Sequence, residues 1–266
     1  MTTAVRMEVD DDGVALLTLD GPERLNAFSR RTAAELGEVY RACDENDDVR
    51  AVVVTGAGRA FCAGADLTDT RVFAGAADDF TASPVQPPAW RVRKIVVAAV
   101  NGHAIGIGLT IALQCDLRIV AADAQLAIPQ VRRGMVGDAQ SHWTLRRAVG
   151  LATAADLLLT GRTISGREAA SRGIASQALP APEVLPAALA IARDSAVHAS
   201  AAAVALSKQI LWGEQDLEEV GRAETEAHRI LMAHPDAVEG PAAWREQRAP
   251  RWELRVSDLP HEGRPR

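Results

Sequence analysis

Apolar and polar residues alternate along Val5–Val9 and again along Val14–Leu19, on either side of Asp11-Asp12-Gly13. A period of two predicts half-buried strands, and Asp and Gly tolerate the positive φ of a tight turn, so this segment reads as a hairpin. Gly21-Pro22 breaks the chain. Ala33, Leu36, Val39 and Ala42 then fall on one helical stripe behind Ser29, which predicts a helix from Arg30 to about Asn46 with Ser29 as its N-cap. Val49–Thr55 is a nearly continuous β-branched run, the pattern of a strand covered on both faces. Ile95–Val100 repeats that character, and Cys115–Ala121 reads as a third such strand. Two Gly-rich loops follow the first two of these strands, one from Gly56 to Gly64 and one from Asn101-Gly102 to Gly108; a short apolar helix runs on to Leu113. Strands alternating with helices predict an α/β fold with parallel pairing. From about Leu151 the pattern is helical, with helices over Glu183–Val197, Ala199–Trp212 and Leu217–Met232, and a last one from His234-Pro235-Asp236 to near Arg248. Residues 74–89 are rich in Ala, Asp and Pro and have no period; they read as a surface loop or as a lid over a pocket.

A chain of 266 residues is long enough for one large domain, or for a domain with a smaller appendage. The net charge of −6 disfavours the broad basic footprint of a nucleic-acid binder. Cys43, Cys62 and Cys115 are odd in number and widely spaced, so neither a zinc site nor a disulfide framework is expected. The first ten residues lack the apolar centre of a signal peptide, and Ile95–Val100 is too short to span a bilayer. A cytoplasmic location without a membrane partner is the expectation. Lysine occurs only at 94 and 208, against arginine everywhere else, which together with the abundance of alanine reads as genomic bias.

The Gly-rich loops narrow the chemistry. Gly56-Ala57-Gly58 and Gly106-Ile107-Gly108 each begin like a dinucleotide fingerprint, but Phe61 and Ile111 stand at its last position. No phosphate-binding G-x-x-x-x-G-K-[ST] loop and no G-x-S-x-G nucleophile elbow occurs. Gly-rich turns after buried strands let a backbone approach a ligand closely. If each turn opens a helix, its first N–H groups are unpaired. Two such donors converging on one point hold a developing oxyanion. Convergence is a property of the fold rather than of the spacing.

Several segments, in order, resemble the motifs of the crotonase (enoyl-CoA hydratase/isomerase) family. Gly58-Arg59-Ala60-Phe61-Cys62-Ala63-Gly64-Ala65-Asp66-Leu67 is similar to its G-x-x-F-x-A-G-x-D-[LI] signature, and Val100 to Gly108 to its V-x-G-x-A-x-G-G-G signature. Arg24-Leu25-Asn26-Ala27, the strand from Cys115 to Ile119, and Leu151 to Gly173 resemble further family segments, so the resemblance spans roughly residues 5 to 252. It implies an α/β fold built as a spiral of ββα units (1–195) with a helical oligomerisation region (196–266), assembled as a homotrimer or a dimer of trimers. It implies an acyl-CoA thioester as ligand, coenzyme A being part of the substrate, with no separate cofactor and no metal. The backbone N–H groups of Ala65 and Ile107 become the oxyanion hole; Arg24, Leu25, Ala63, Asp66 and Leu67 become the coenzyme A contacts. Arg248, in a closing Trp244-Arg245-Glu246-Gln247-Arg248 segment, becomes a candidate for a coenzyme A phosphate of a neighbouring subunit, with a solvated helix end as the alternative.

The chain departs from the pattern of the family it resembles where a hydratase carries two glutamates. Thr110 stands at one position and Gln130 at the other. A threonine hydroxyl orients water but is no general base at neutral pH, and a glutamine takes no proton. Asp138 aligns with a functional aspartate of dienoyl-CoA isomerases and of an aromatic-CoA dehalogenase, which makes it the candidate acid/base; the bland alternative is an N-cap for a helix over Ala139–Val149. His142, four residues on, pairs with Asp138 if both lie on one helix; His103 reads as a packing residue. Three functions compete: an acyl-CoA enzyme of enolate chemistry, a non-catalytic acyl-CoA-binding protein, and an oligomeric scaffold without ligand.

Overall fold

β1 (Val5–Val9) and β2 (Val14–Leu19) pair antiparallel around a turn at Gly13, with Val9 opposite Ala15. This is the expected hairpin, in the computed structural model that describes residues 4–66 and 81–260. α1 (Arg30–Glu45) starts on Ser29, whose hydroxyl accepts from Thr32 N at 3.1 Å, the cap read from the sequence. β3 (Ala51–Gly56) is buried at every position and lies between β2 and β5 (Ile95–Val100), parallel to both. The all-apolar run thus has the central, doubly covered place that its pattern implies.

From β3 onward the chain winds as a spiral, each turn giving one strand to a large sheet and one to a small sheet. β4 (Ala60–Cys62) follows β3; β6 (His103–Ile105) and α2 (Ile107–Ala112) follow β5. β7 (Leu117–Ala121) is followed by β8 (Gln125–Ala127) and α3 (Ser141–Thr160). β9 (Thr163–Ser165), α4 (Gly166–Ser171) and β10 (Gln177–Leu179) complete it. The large sheet runs β1-β2-β3-β5-β7-β10 and the small one β4-β6-β8-β9. The stretch after Leu151 is therefore not wholly helical as expected: β9 and β10 interrupt it. At three residues each they are too short to carry a period, and pairing with β8 and β7 defines them. α3 is broken at Gly150, whose φ of 76° and ψ of 173° are not helical.

α5 (Ala181–His198) packs across the large sheet and closes the main core, so the boundary expected at 195–196 lies inside this helix. α6 (Ala201–Trp212), α7 (Leu217–Met232) and α8 (Asp236–Glu246) follow. A second, small core of Ala202, Ala205, Val256 and Leu259 belongs to α6 and the returning tail. Among the described residues no single helix is long and apolar enough to cross a membrane; α5 and α6 reach that length only together, bent by 117°.

The two lysines tie these parts together. Lys94 is 1% exposed, and its ammonium donates to Cys43 O, Asp44 O and Asn46 O at the C-terminal end of α1. Lys208 of α6 is 6% exposed and donates to Ala89 O, Lys94 O and, at 2.6 Å, to Asp116 Oδ2. Each ammonium has three donors and three acceptors gathered around one point, which a planar guanidinium does not match. Genomic bias therefore explains the arginines but not the two lysines that remain.

Candidate active site

The parallel pairing of β4 and β6 sets the two loops that carry Ala65 and Ile107 against each other. β4 and β6 run parallel with Cys62 opposite Ala104, and three residues beyond each stand Ala65 and Ile107. Beyond β4 the chain makes a parallel bridge, in which Phe28 N donates to Gly64 O and Asp66 N to Phe28 O. Successive amides of an extended chain point to opposite sides, so the Ala65 N–H between them faces away from Phe28. Ile107 is the first residue of α2, and its N–H lies ahead of any carbonyl one turn back. Of the two loops, only the second opens a helix among the described residues. The loops touch closely: a Cβ on Gly108 would lie 2.2 Å from Cys62 O, so only glycine lets α2 start there. Gly106, at φ 57°, turns the chain into α2.

Asp138 lies beside these donors. Its Oδ1 accepts from Thr110 Oγ1 at 2.5 Å and its Oδ2 from Gln130 Nε2 at 3.1 Å. The two residues that stand where glutamates were expected thus both hold this one carboxylate. Thr110 is fully buried, its hydroxyl 3.2 Å from Ile107 O, so the residue that holds Asp138 stands one turn along α2 from Ile107. Gln130, 7% exposed, lies against Gly106, where a Cβ would come 3.5 Å from its Nε2. Its Oε1 is buried and has no hydrogen-bond partner among the described residues. Burial pushes the Asp138 carboxyl above its usual value, against the downward pull of the Thr110 and Gln130 bonds. Burial, with Asp138 adding to it, drives the nearby Cys62 thiol up to about 12, so this cysteine is no nucleophile.

The capping alternative for Asp138 does not hold. α3 begins at Ser141, with Gln140 before it in left-handed conformation and no side-chain cap. Ala139 and Gln140, at φ 45° and 54°, separate Asp138 from the helix, so the i, i+4 pairing with His142 also fails; His142 is exposed. His103 accepts from Gln125 N at 3.0 Å and links β6 to β8, the packing role expected of it.

Four of the coenzyme A candidates, Arg24, Leu25, Ala63 and Asp66, are linked in pairs beside Ala65. Ala63 N donates to Leu25 O at 3.0 Å, and Arg24 pairs with Asp66 at 2.6 Å. Leu67 lies outside the described residues, as does the part of the 74–89 stretch up to residue 80. Arg248 stands two residues past the end of α8, its guanidinium paired with Glu239 and Glu246. The single chain does not bring it to this cluster.

Sequence reasoning gave no role to two asparagines that build the loops. Asn26, 4% exposed and at φ 56°, accepts from Gly21 N and donates to Ala57 O and Ala60 O. Asn101 donates to Gly56 O and Gly58 O and accepts from Gly56 N. Both stand next to turn residues, where an amide that donates and accepts at once replaces missing ladder bonds.

A carboxylate with a raised affinity for protons, held by neutral donors beside α2, is equipped to take and return a proton. Comparisons with known proteins place the chain among relatives. The sequence model described as Enoyl-CoA hydratase/isomerase matches residues 10–255. An enoyl-CoA hydratase of Alternaria alternata is 32% identical over 259 residues, covering 96% of this chain and 88% of that protein. A carnitinyl-CoA dehydratase of Proteus mirabilis is 32% identical over 248 residues, covering 90% and 94%. The crystal structure of a probable enoyl-CoA hydratase/isomerase from Mycobacterium abscessus superposes with a TM-score of 0.91 at 46% identity, over 95% of this chain and 99% of that one. On this match of sequence and fold, the chain belongs to the enoyl-CoA hydratase/isomerase family.

Proposed function

We propose that the protein moves a double bond within an acyl-CoA thioester, with Asp138 as the single acid/base and the Ala65 and Ile107 amides as the oxyanion hole. The observation that carries this reading is the Asp138 carboxylate held by Gln130 and by Thr110, which stands one turn along α2 from Ile107. In a 3-enoyl-CoA, Asp138 takes a proton from C2, and the electron pair forms an enolate whose oxygen is held by the two amides. The same proton returns to C4 as the double bond moves from C3–C4 to C2–C3. Nothing is added or lost, so one carboxylate suffices. Hydration needs a second group to deliver or accept a proton while water attacks, and Thr110 and Gln130 titrate at no useful pH. Coenzyme A enters as part of the substrate, with no separate cofactor. Arg24, Leu25, Ala63, Asp66, and Leu67 beside them in sequence, form its contacts, and Arg248 completes the site of a neighbouring subunit in a homotrimer or dimer of trimers working in the cytoplasm.

The test is turnover of the purified protein on 2-enoyl-, 3-enoyl- and dienoyl-CoA esters, with products identified by mass and chromatography. Isomerisation leaves the mass of a 3-enoyl ester unchanged, and this is the expected product. A product heavier by one water would make the protein a hydratase and overturn the single-carboxylate scheme. Tight binding of the esters without any turnover would make it an acyl-CoA-binding protein.

A further inference from the structure

We propose that Gln114 is a positioning residue that holds Asp138 in its working orientation. The inference rests on Asp138 being the proton carrier. Ala139 and Gln140, directly after Asp138, are both in the left-handed region, at φ 45° and 54°. Neither is glycine, so each resists this conformation through its own Cβ. Two consecutive strained residues persist only where their surroundings over-determine them. Gln114 supplies that restraint. It is 2% exposed, and its Nε2 donates to Ala139 O and to Gln140 Oε1, each at 3.1 Å.

The placement ties the strain to the carboxylate. Gln114 lies two residues past the end of α2, in the turn that follows it, four residues after Thr110. Thr110 holds the Asp138 side chain, and Gln114 holds the backbone just beyond it. From the opposite side, Ala139 N donates to Ala82 O at 2.7 Å and Gln140 Nε2 to Ser83 Oγ. The peptide carrying Asp138 is therefore gripped between the end of α2 and residues 82–83. Released by Gln114, Ala139 and Gln140 relax toward ordinary backbone angles. The carboxylate then swings away from Thr110 and Gln130 and meets more water.

The test compares Gln114→Met, which keeps the volume and removes both donors, with wild type on 3-hexenoyl-CoA. We expect kcat to fall about 10- to 100-fold, the loss that a displacement of about 1 Å at a reacting group produces, with KM within about twofold. The acid limb of the kcat profile moves to lower pH, since a carboxylate better reached by water returns toward its ordinary value. Ala139→Gly added to Gln114→Met removes the left-handed penalty and restores a large part of kcat, which repair of mere packing would not do. A kcat within twofold of wild type, a change confined to KM, or an unmoved acid limb overturns the proposal. Should Gln114→Met fail to fold, Gln140→Met removes one of the two acceptors from a half-buried position and must show the same signature more weakly; an unchanged kcat there overturns it equally. If the wild type turns over no ester, the proton-transfer reading itself has failed. Carbon-13 NMR of the Asp138 carboxyl then still decides on Gln114: its titration moves down in Gln114→Met or the proposal falls.

Discussion

On the proposed mechanism, Asp138→Asn lowers kcat for 3-enoyl-CoA isomerisation by about 10³-fold and leaves KM nearly unchanged, the result expected where a general base is removed and its shape kept. Thr110 and Gln130 still have a side chain of the same size between them, so the pocket does not collapse. The same substitution is expected to stabilise the fold at neutral pH. Burial holds the Asp138 carboxyl above its ordinary value, so the folded chain binds that proton more tightly than the unfolded chain does. Stability therefore falls as pH rises through the interval between the ordinary value and the raised one. Above that interval the wild type carries a buried anion that asparagine does not. The variant melts higher than wild type at neutral pH, and the difference shrinks as pH drops below the ordinary carboxyl value, where the wild-type group is protonated in both states. Turnover equal to wild type would remove Asp138 from the mechanism. A melting point lowered at every pH would show that the ionised carboxylate supports the fold.

Lys208→Met is expected to cost about 3–5 kcal/mol of stability, because it leaves Asp116 as a buried charge with its cationic partner gone. The Asp116 side chain is 12% exposed and keeps only Val96 N and Trp212 Nε1 as donors once the 2.6 Å ion pair is lost. Lys208→Arg is expected to be harmful as well. The three acceptors around Nζ, at 3.0, 2.9 and 2.6 Å, fit a compact tripod of donors and leave no room for a planar fork. Urea titration of both variants measures this. An arginine variant as stable as wild type would show that charge alone matters at this position.

Much of the scaffold was legible because its elements carry local signals. The hairpin of β1 and β2, the capped α1 and the buried β3 each follow from period, cap chemistry or a β-branched run, and each stands where that signal put it. β4, β6, β8, β9 and β10 have three residues each, below the length at which a period can be counted; register with a neighbour defines them. The site divides in the same way. The glycines of the two loops announce a close backbone approach, and the loss of both glutamates is visible in Thr110 and Gln130. That these two residues converge on Asp138 is not, since positions 110, 130 and 138 meet only through the winding of the spiral. The helix expected from Ala139 shows how a local rule fails: two non-glycine residues in left-handed conformation are disfavoured by every propensity, and long-range bonds from Gln114 and Ala82 hold them there.

Activated thioesters acylate amines and thiols without any catalyst, and a protein that handles them all day is its own nearest target. This chain offers them almost nothing to attack. Its only two lysine ammonium groups are each enclosed by three oxygen acceptors. Its three thiols, at Cys43, Cys62 and Cys115, are buried and pushed to about 12, far from the thiolate that would exchange with a thioester. With arginine carrying the surface positive charge, no side-chain amine or thiol faces the solvent, and prolonged incubation with a large excess of acyl-CoA should leave every side-chain amine and thiol of the folded chain unmodified by mass spectrometry. The same rigid enclosure that makes Lys94 and Lys208 structural also makes the protein chemically deaf to its own substrate.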